Sequence, residues 1–157
     1  MFNTLRTTLA LTTTALSLSV TAAAAEGAPK VTLPDDVQWF AMIPEMGDEG
    51  PAMSVVFGEL GEKGKPFAGL FRVPAGGLSP AHIHSSDYTA YMISGTESVR
   101  VKAEDEPELI PAGSVWFQPG NEVHINECMG PEDCVFYVYY PTGIDYIPTD
   151  ADGHPQH

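Results

Sequence analysis

The residues best suited to chemistry in this chain are three histidines. His82 and His84 flank Ile83, and His124 follows forty residues later. The other two of the five histidines, His154 and His157, sit in the last four residues. Residues two apart on a strand point to the same face, so His82 and His84 can present two imidazoles to one divalent transition metal. His124, carried on a neighbouring strand, would complete a facial set with coordination positions left open.

Several other side chains are candidates around such a site. Trp116 and Gln118 alternate with Val115 and Phe117, so one pair is expected to face the pocket. Tyr137 and Tyr139 share one face of the last long strand and are candidates for the pocket wall. Arg72 and Glu59 are charged residues in otherwise apolar strands and read as packing or surface residues. Cys128 and Cys134 are six apart with Gly130 and Pro131 between them. In an exported protein that spacing suits a disulfide closing a strand-to-strand loop; free thiols or a soft metal pair are the alternatives.

The elements that must position these residues are short. Fourteen Pro and fifteen Gly punctuate apolar or alternating runs. The runs are 37–43, 53–60, 67–73, 88–94, 97–103, 114–118, 124–128 and 135–140, and they predict an all-β sandwich or barrel. Val135 to Tyr140 is apolar or aromatic throughout, which predicts a strand buried on both faces or lining a pocket. Thr149 to His157 reads as a loose tail with no part in the site.

Ahead of the runs, residues 1–25 read as a secretory signal peptide. Arg6 precedes a short apolar stretch, Leu9 to Val20, and Ala22 to Ala25 offers a small-residue cleavage site. No other stretch is long and apolar enough to cross a bilayer. Residues 26–157 then make one domain, in a periplasmic or secreted setting. The formal net charge of the whole chain is −14, and the leader removes one basic residue and no acid. So acidic a surface repels nucleic acid and anionic lipid, which leaves a small molecule as the expected partner.

The histidines fall in a larger pattern. Gly76, His82, His84 and Gly95 match the spacing of one motif, and Gly113, Pro119 and His124 that of a second. Together they resemble the cupins. The resemblance covers about residues 37–147 and implies a double-stranded β-helix, the jelly-roll barrel, with a metal in its mouth. Cupin barrels often pair through edge strands, so it also allows a homodimer.

Three positions depart from the cupin motifs. Tyr88 stands where the first motif has Glu, Asn121 where the second has Gly, and Cys128 where it has Asn. The chain therefore resembles the three-histidine branch. Neutral imidazoles leave the metal at its full charge, a stronger Lewis acid than one holding a carboxylate. On an unbroken strand Tyr88 would share the face of both histidines, as a general acid or base, a hydrogen-bond donor or a direct ligand; the alternative is core packing with the hydroxyl at the rim.

Within the cupins, the strings Ser86-Asp87-Tyr88, Ser94-Gly95-Thr96 and Trp116-Phe117-Gln118-Pro119-Gly120 are similar to the acetylacetone-cleaving dioxygenase and to ChrR-type cupin domains. The first resemblance implies Fe(II), O₂ and oxidative cleavage of a small diketone or related chelator. The second implies zinc and a regulatory role. A metal-dependent oxygenase is the leading expectation, with a lyase or isomerase, or a non-catalytic periplasmic module that captures a metal or small ligand, as the alternatives. The leader has no twin-arginine pair, so metal would be acquired outside the cytoplasm. Affinity order there favours Cu(II) and Zn(II) over Fe(II) and Mn(II).

Overall fold

The computed structural model describes residues 29–150 and 153–156; the proposed leader and His157 lie outside the described residues. Thr32–His157 is one compact unit built almost entirely from strands. These are β1 (Phe40–Ala41), β2 (Ala52–Phe57), β3 (Phe67–Val73), β4 (Leu78–Ile83), β5 (Tyr88–Ser94) and β6 (Thr96–Arg100). They continue with β7 (Glu108–Pro111), β8 (Val115–Gln118), β9 (His124–Cys128), β10 (Cys134–Tyr140) and β11 (Ile147–Pro148). Two 3-10 turns, Pro34–Asp36 and Pro44–Glu49, flank β1.

The strands form two antiparallel sheets. One has the order β1-β2-β3-β10-β5-β8 and the other β11-β4-β9-β6-β7. The interior side of the first sheet is read off β5, where Tyr88, Ala90 and Met92 are buried while Tyr91 and Ile93 are exposed. Tyr88, Ala90, Phe67, Phe71, Met53, Val138 and Tyr140 make the apolar core, with Trp116, Phe136 and Ile144 packed against it.

The sequence runs locate β2, β3, β5, β6, β8, β9 and β10. The run 37–43 shrinks to a two-residue strand because prolines start a 3-10 turn on either side of it. Three strands escape the sequence pattern because each contains or ends on proline. Pro111 and Pro148 lie on β7 and β11, the two edges of their sheet, where a missing N–H removes no ladder bond. Pro80 lies in β4 at a register shift between Ser79 and His82. The described residues of the tail are tied down: Thr149 bridges to Pro155, and the Gln156 N–H donates to the Pro148 carbonyl at 2.9 Å.

β10 is also simpler than its composition suggests. Phe136 and Val138 pair with Met92 and Ala90 on the interior face, while Tyr137 and Tyr139 pair with Tyr91 and Thr89 on the outer one. Tyr137 and Tyr139 are therefore not in the pocket wall. Their cross-strand neighbours on that face are Tyr91 and Thr89. Tyr140 is the tyrosine of this strand that reaches the site.

Candidate metal centre

His82 and His124 are direct cross-strand partners of β4 and β9, so they share one face. The shift around Pro80 and Ala81 sets that register. His84 follows β4 by one residue and turns inward as well. The ring of His82 meets that of His124 at 4.1 Å and that of His84 at 5.0 Å, centroid to centroid. One ligand atom from each of the three lies within 4.8 Å of the others.

The hydrogen bonds decide which nitrogen faces inward. The Nδ1–H of His82 donates to the Pro80 carbonyl at 2.8 Å, and that of His124 to the Glu122 carbonyl at 3.0 Å. The Nδ1–H of His84 donates to the carbonyl of Asp145. With Nδ1 committed as donor, each neutral ring keeps its lone pair on Nε2. The Nε2 of His124 is buried without any hydrogen-bond partner. A buried acceptor left unpaired is costly, and a metal ion at this point would satisfy it. The donor set fits a divalent transition metal: three neutral nitrogens in matched tautomers, each oriented by a carbonyl.

Burial keeps these rings neutral. It pushes His82 down to about 3, aided by neighbouring His124 and opposed by the Pro80 carbonyl. His124 falls to about 4, again through burial, against the pull of the Glu122 carbonyl. His84 is lowered by burial and partly restored by the carbonyl and charge of Asp145. Imidazole must be neutral to ligate, so the fold supplies the ligands in binding form well below neutral pH.

Tyr88 reaches the centre by a different route from the unbroken strand. The chain turns at Ser85–Asp87, so His84 sits just past the end of β4 and Tyr88 opens β5 in the other sheet. The two rings meet edge to face at 5.3 Å across the interior. Burial raises the Tyr88 hydroxyl to about 12, opposed by a hydrogen bond from Trp116 and reinforced by the charge of Glu97. Tyr140 packs on Tyr88 at 4.8 Å and against His84 at 5.5 Å.

Of the proposed pocket residues, Gln118 pairs with Tyr88 and Trp116 with Ala90, both on the interior face. They also line a cavity of about 340 Å³ between the edge strands β7 and β8, with Val99 and Ile110 among its other walls. No histidine lines that cavity. Glu59 and Arg72 lie outside the site: Glu59 is exposed after β2, and Arg72 donates to the Asp48 carbonyl at 3.3 Å while lying over the Trp39 ring. His154 is exposed and bonds Asp150 at 3.2 Å.

Two cupin-motif departures have local explanations. Asn121 has φ 62°, a left-handed conformation that suits the motif's glycine and that asparagine tolerates. Its N–H donates to the His84 carbonyl at 2.7 Å, which ties the loop before β9 to the end of β4. Cys128 is bonded to Cys134, linking a strand of each sheet. Gly95 is required on two counts: its φ is +78°, and a Cβ there would meet the Asp133 carbonyl oxygen at 2.8 Å and the Cys134 Cα at 2.9 Å.

Three functional candidates carried no sequence signal of their own. Tyr146 stacks on His82 at 4.4 Å with 23° between planes, and Asp145 holds His84 from sixty-one residues away. Glu97 is 3% exposed in β6, with Oε2 unpartnered, and burial raises its carboxyl to about 7. Its cross-strand partner Cys128 lies four residues along from His124, so Glu97 shares the interior face farther from the metal ligands.

Solved structures share this architecture. KdgF from Halomonas sp. is 17% identical with a TM-score of 0.55, covering 73% of this chain and 94% of that one. The polyketide cyclase RemF from Streptomyces resistomycificus is 19% identical with a TM-score of 0.60, over 76% and 84% of the two chains. An RmlC-like cupin from Ralstonia eutropha JMP134 is 17% identical with a TM-score of 0.60, over 77% and 73%. Likenesses this distant establish the fold, which is the cupin double-stranded β-helix. No curated protein matches the sequence. A family model described as a domain of unknown function, DUF4437, matches residues 30–156, and the chain accordingly belongs to the DUF4437 family.

Proposed function

We propose that this protein is an exported metal-dependent cupin enzyme that acts on a small, oxygen-rich chelating substrate such as a diketone, with oxidative cleavage as the leading reaction. The observation that carries the metal reading is the buried, unpartnered Nε2 of His124 beside two histidines of matched tautomer. The Cys128–Cys134 disulfide is compatible with an oxidising compartment and supports export. Iron follows from the family resemblance; zinc, copper or manganese suit the same three nitrogens.

A divalent metal bound here would supply a Lewis acid with positions open to a bidentate oxygen ligand. The chain's own contribution is separate. Carbonyls of Pro80, Glu122 and Asp145 orient the three imidazoles. Tyr88 and Tyr140 set aromatic rings against His84. The Tyr88 hydroxyl, raised to about 12, stays protonated through the physiological range and serves as a hydrogen-bond donor toward a bound oxygen.

That same hydroxyl favours a second reading, a lyase, isomerase or cyclase driven by proton transfer without O₂. The polyketide cyclase among the structural neighbours is compatible with it. Oxygen uptake separates these readings. Protein purified from its native compartment is analysed for metal, then incubated with β-diketones and hydroxyacids under air and under argon. Product with stoichiometric O₂ consumption supports the oxygenase. Product under argon supports the lyase or isomerase. Stoichiometric metal with no product across the panel leaves the capture module standing.

A further inference from the structure

We propose that Asp145 is a positioning residue for the metal ligand His84, and that metal binding and the docking of the C-terminal strap Thr142–Thr149 strengthen each other. This rests on the metal reading above.

The three ligands differ in where their orienting carbonyl comes from. His82 and His124 each use a carbonyl two residues earlier in the same stretch of chain, Pro80 and Glu122. His84 has no such local partner. Its Nδ1–H bonds the carbonyl of Asp145, sixty-one residues downstream. Its tautomer and ring direction therefore depend on tertiary docking, whereas those of the other two are set locally.

The Asp145 carbonyl is held in place by the residue's own side chain. Oδ1 accepts from the Ser85 N–H at 2.8 Å and Oδ2 from the Ser85 hydroxyl at 2.5 Å. Asp145 thus grips the residue next to His84 with its carboxylate while its carbonyl takes the imidazole. The grip continues on both sides. Thr142 donates to the Ser86 hydroxyl at 2.8 Å, and the ring of Tyr146 lies on His82. Ile147 and Pro148 pair with Ile83 and His82 as β11, and the Thr149 N–H donates to the Ala81 carbonyl at 3.0 Å. Every one of these contacts lands on residues 81–86, the segment that carries two of the three ligands.

A metal ion binds more tightly when His84 is already fixed, and linkage makes the effect mutual: bound metal tightens the strap by the same factor. Outer partners of this kind are worth about 10–100-fold in metal affinity.

The test uses the full chain and Zn(II) alone, with affinity from chelator competition and hydrogen exchange of the Thr149 amide compared with that of Val138 in the core. In the wild type, Zn(II) is expected to slow Thr149 exchange at least tenfold relative to Val138. Asp145→Ala is expected to weaken Zn(II) about 10–100-fold and to abolish that selective slowing. Asp145→Asn, which keeps a side-chain acceptor for the Ser85 N–H, is expected to recover most of both. Should Asp145→Ala fail to fold, Ser85→Ala removes half of the grip with one oxygen and is expected to weaken Zn(II) by at least threefold. Zn(II) affinity within twofold of wild type in the folded Asp145→Ala chain, or in Ser85→Ala when it stands in, overturns the inference, as does unchanged Thr149 exchange on metal binding. A wild type that binds no Zn(II) overturns the metal reading and this inference together; a wild type that binds, with indifferent variants, overturns this one alone.

Discussion

His84, one residue past β4, and Tyr88, the first residue of β5 in the other sheet, face each other edge to face at 5.3 Å. The phenol is therefore presented across the interior, toward the metal ligands and out of their strand. Its hydroxyl is not needed to orient any of the three imidazoles, which already have carbonyl partners.

Tyr88→Phe should accordingly leave Zn(II) affinity within about threefold of wild type while lowering turnover of any productive substrate by about 10²–10⁴-fold, the range of a lost general acid. Parallel metal titration and steady-state kinetics check this. A large loss of metal affinity would instead make Tyr88 a ligand.

His124→Ala removes the ligand whose Nε2 is buried and unpartnered. Metal affinity should fall by more than about 100-fold, beyond what loss of an outer partner costs. The rise in melting temperature that metal gives the wild type should vanish with it. Thermal unfolding with and without Zn(II) reads both effects.

Glu97 makes the stability of the fold depend on pH. Burial raises its carboxyl to about 7 from 4.5, so between these values the folded chain holds a proton that the unfolded chain has released. Its contribution is therefore lost as pH rises through that window. Glu97→Gln should gain on the wild type from pH 4 to pH 8 by roughly 3 kcal/mol. His82 and His124 act in the opposite sense, losing stability as pH falls below 6.5, but they are common to both chains and cancel in the difference. Urea unfolding of the two proteins across pH 4–8 measures it; parallel curves would show that Glu97 does not titrate in this range.

Reducing the Cys128–Cys134 bond should cost about 2 kcal/mol, the amount expected for so short a loop. Cys128 lies four residues beyond His124 on β9, about 13 Å along the strand, so Zn(II) affinity should stay within threefold. Urea unfolding and metal competition with and without reductant test the separation between clamp and site.

The parts of the site legible in the sequence are those set by local spacing. His82, His84 and His124 announce themselves because i, i+2 spacing and the flanking glycines are written in consecutive residues. Alternation puts Trp116 and Gln118 on one face, and the six-residue spacing of Cys128 and Cys134 suits the disulfide they form. Tyr137 and Tyr139 misled because aromatic composition does not say which face of a central strand looks inward; only the pairing with Ala90 and Met92 does. Strand alternation does not set the face of Tyr88, because the turn at Ser85–Asp87 separates it from the strand of the histidines. Asp145 and Tyr146 escape any local pattern because their contacts, to His84 and His82, cross sixty-one and sixty-four positions.

The division of the site between two sheets has a consequence for how such a protein could change its reaction. His82 and His124 belong to the sheet containing β4 and β9, with His84 one residue past the end of β4, while Tyr88, Tyr140, Trp116 and Gln118 belong to the other. The gap between imidazoles and phenol is thus a thickness, set by a core in which Phe67 and Val138 are buried. Trimming or enlarging one of those would move the Tyr88 phenol relative to the imidazoles while leaving all three histidines in the sequence. Substrate size and reaction outcome could then drift through the core, with the motif residues unchanged.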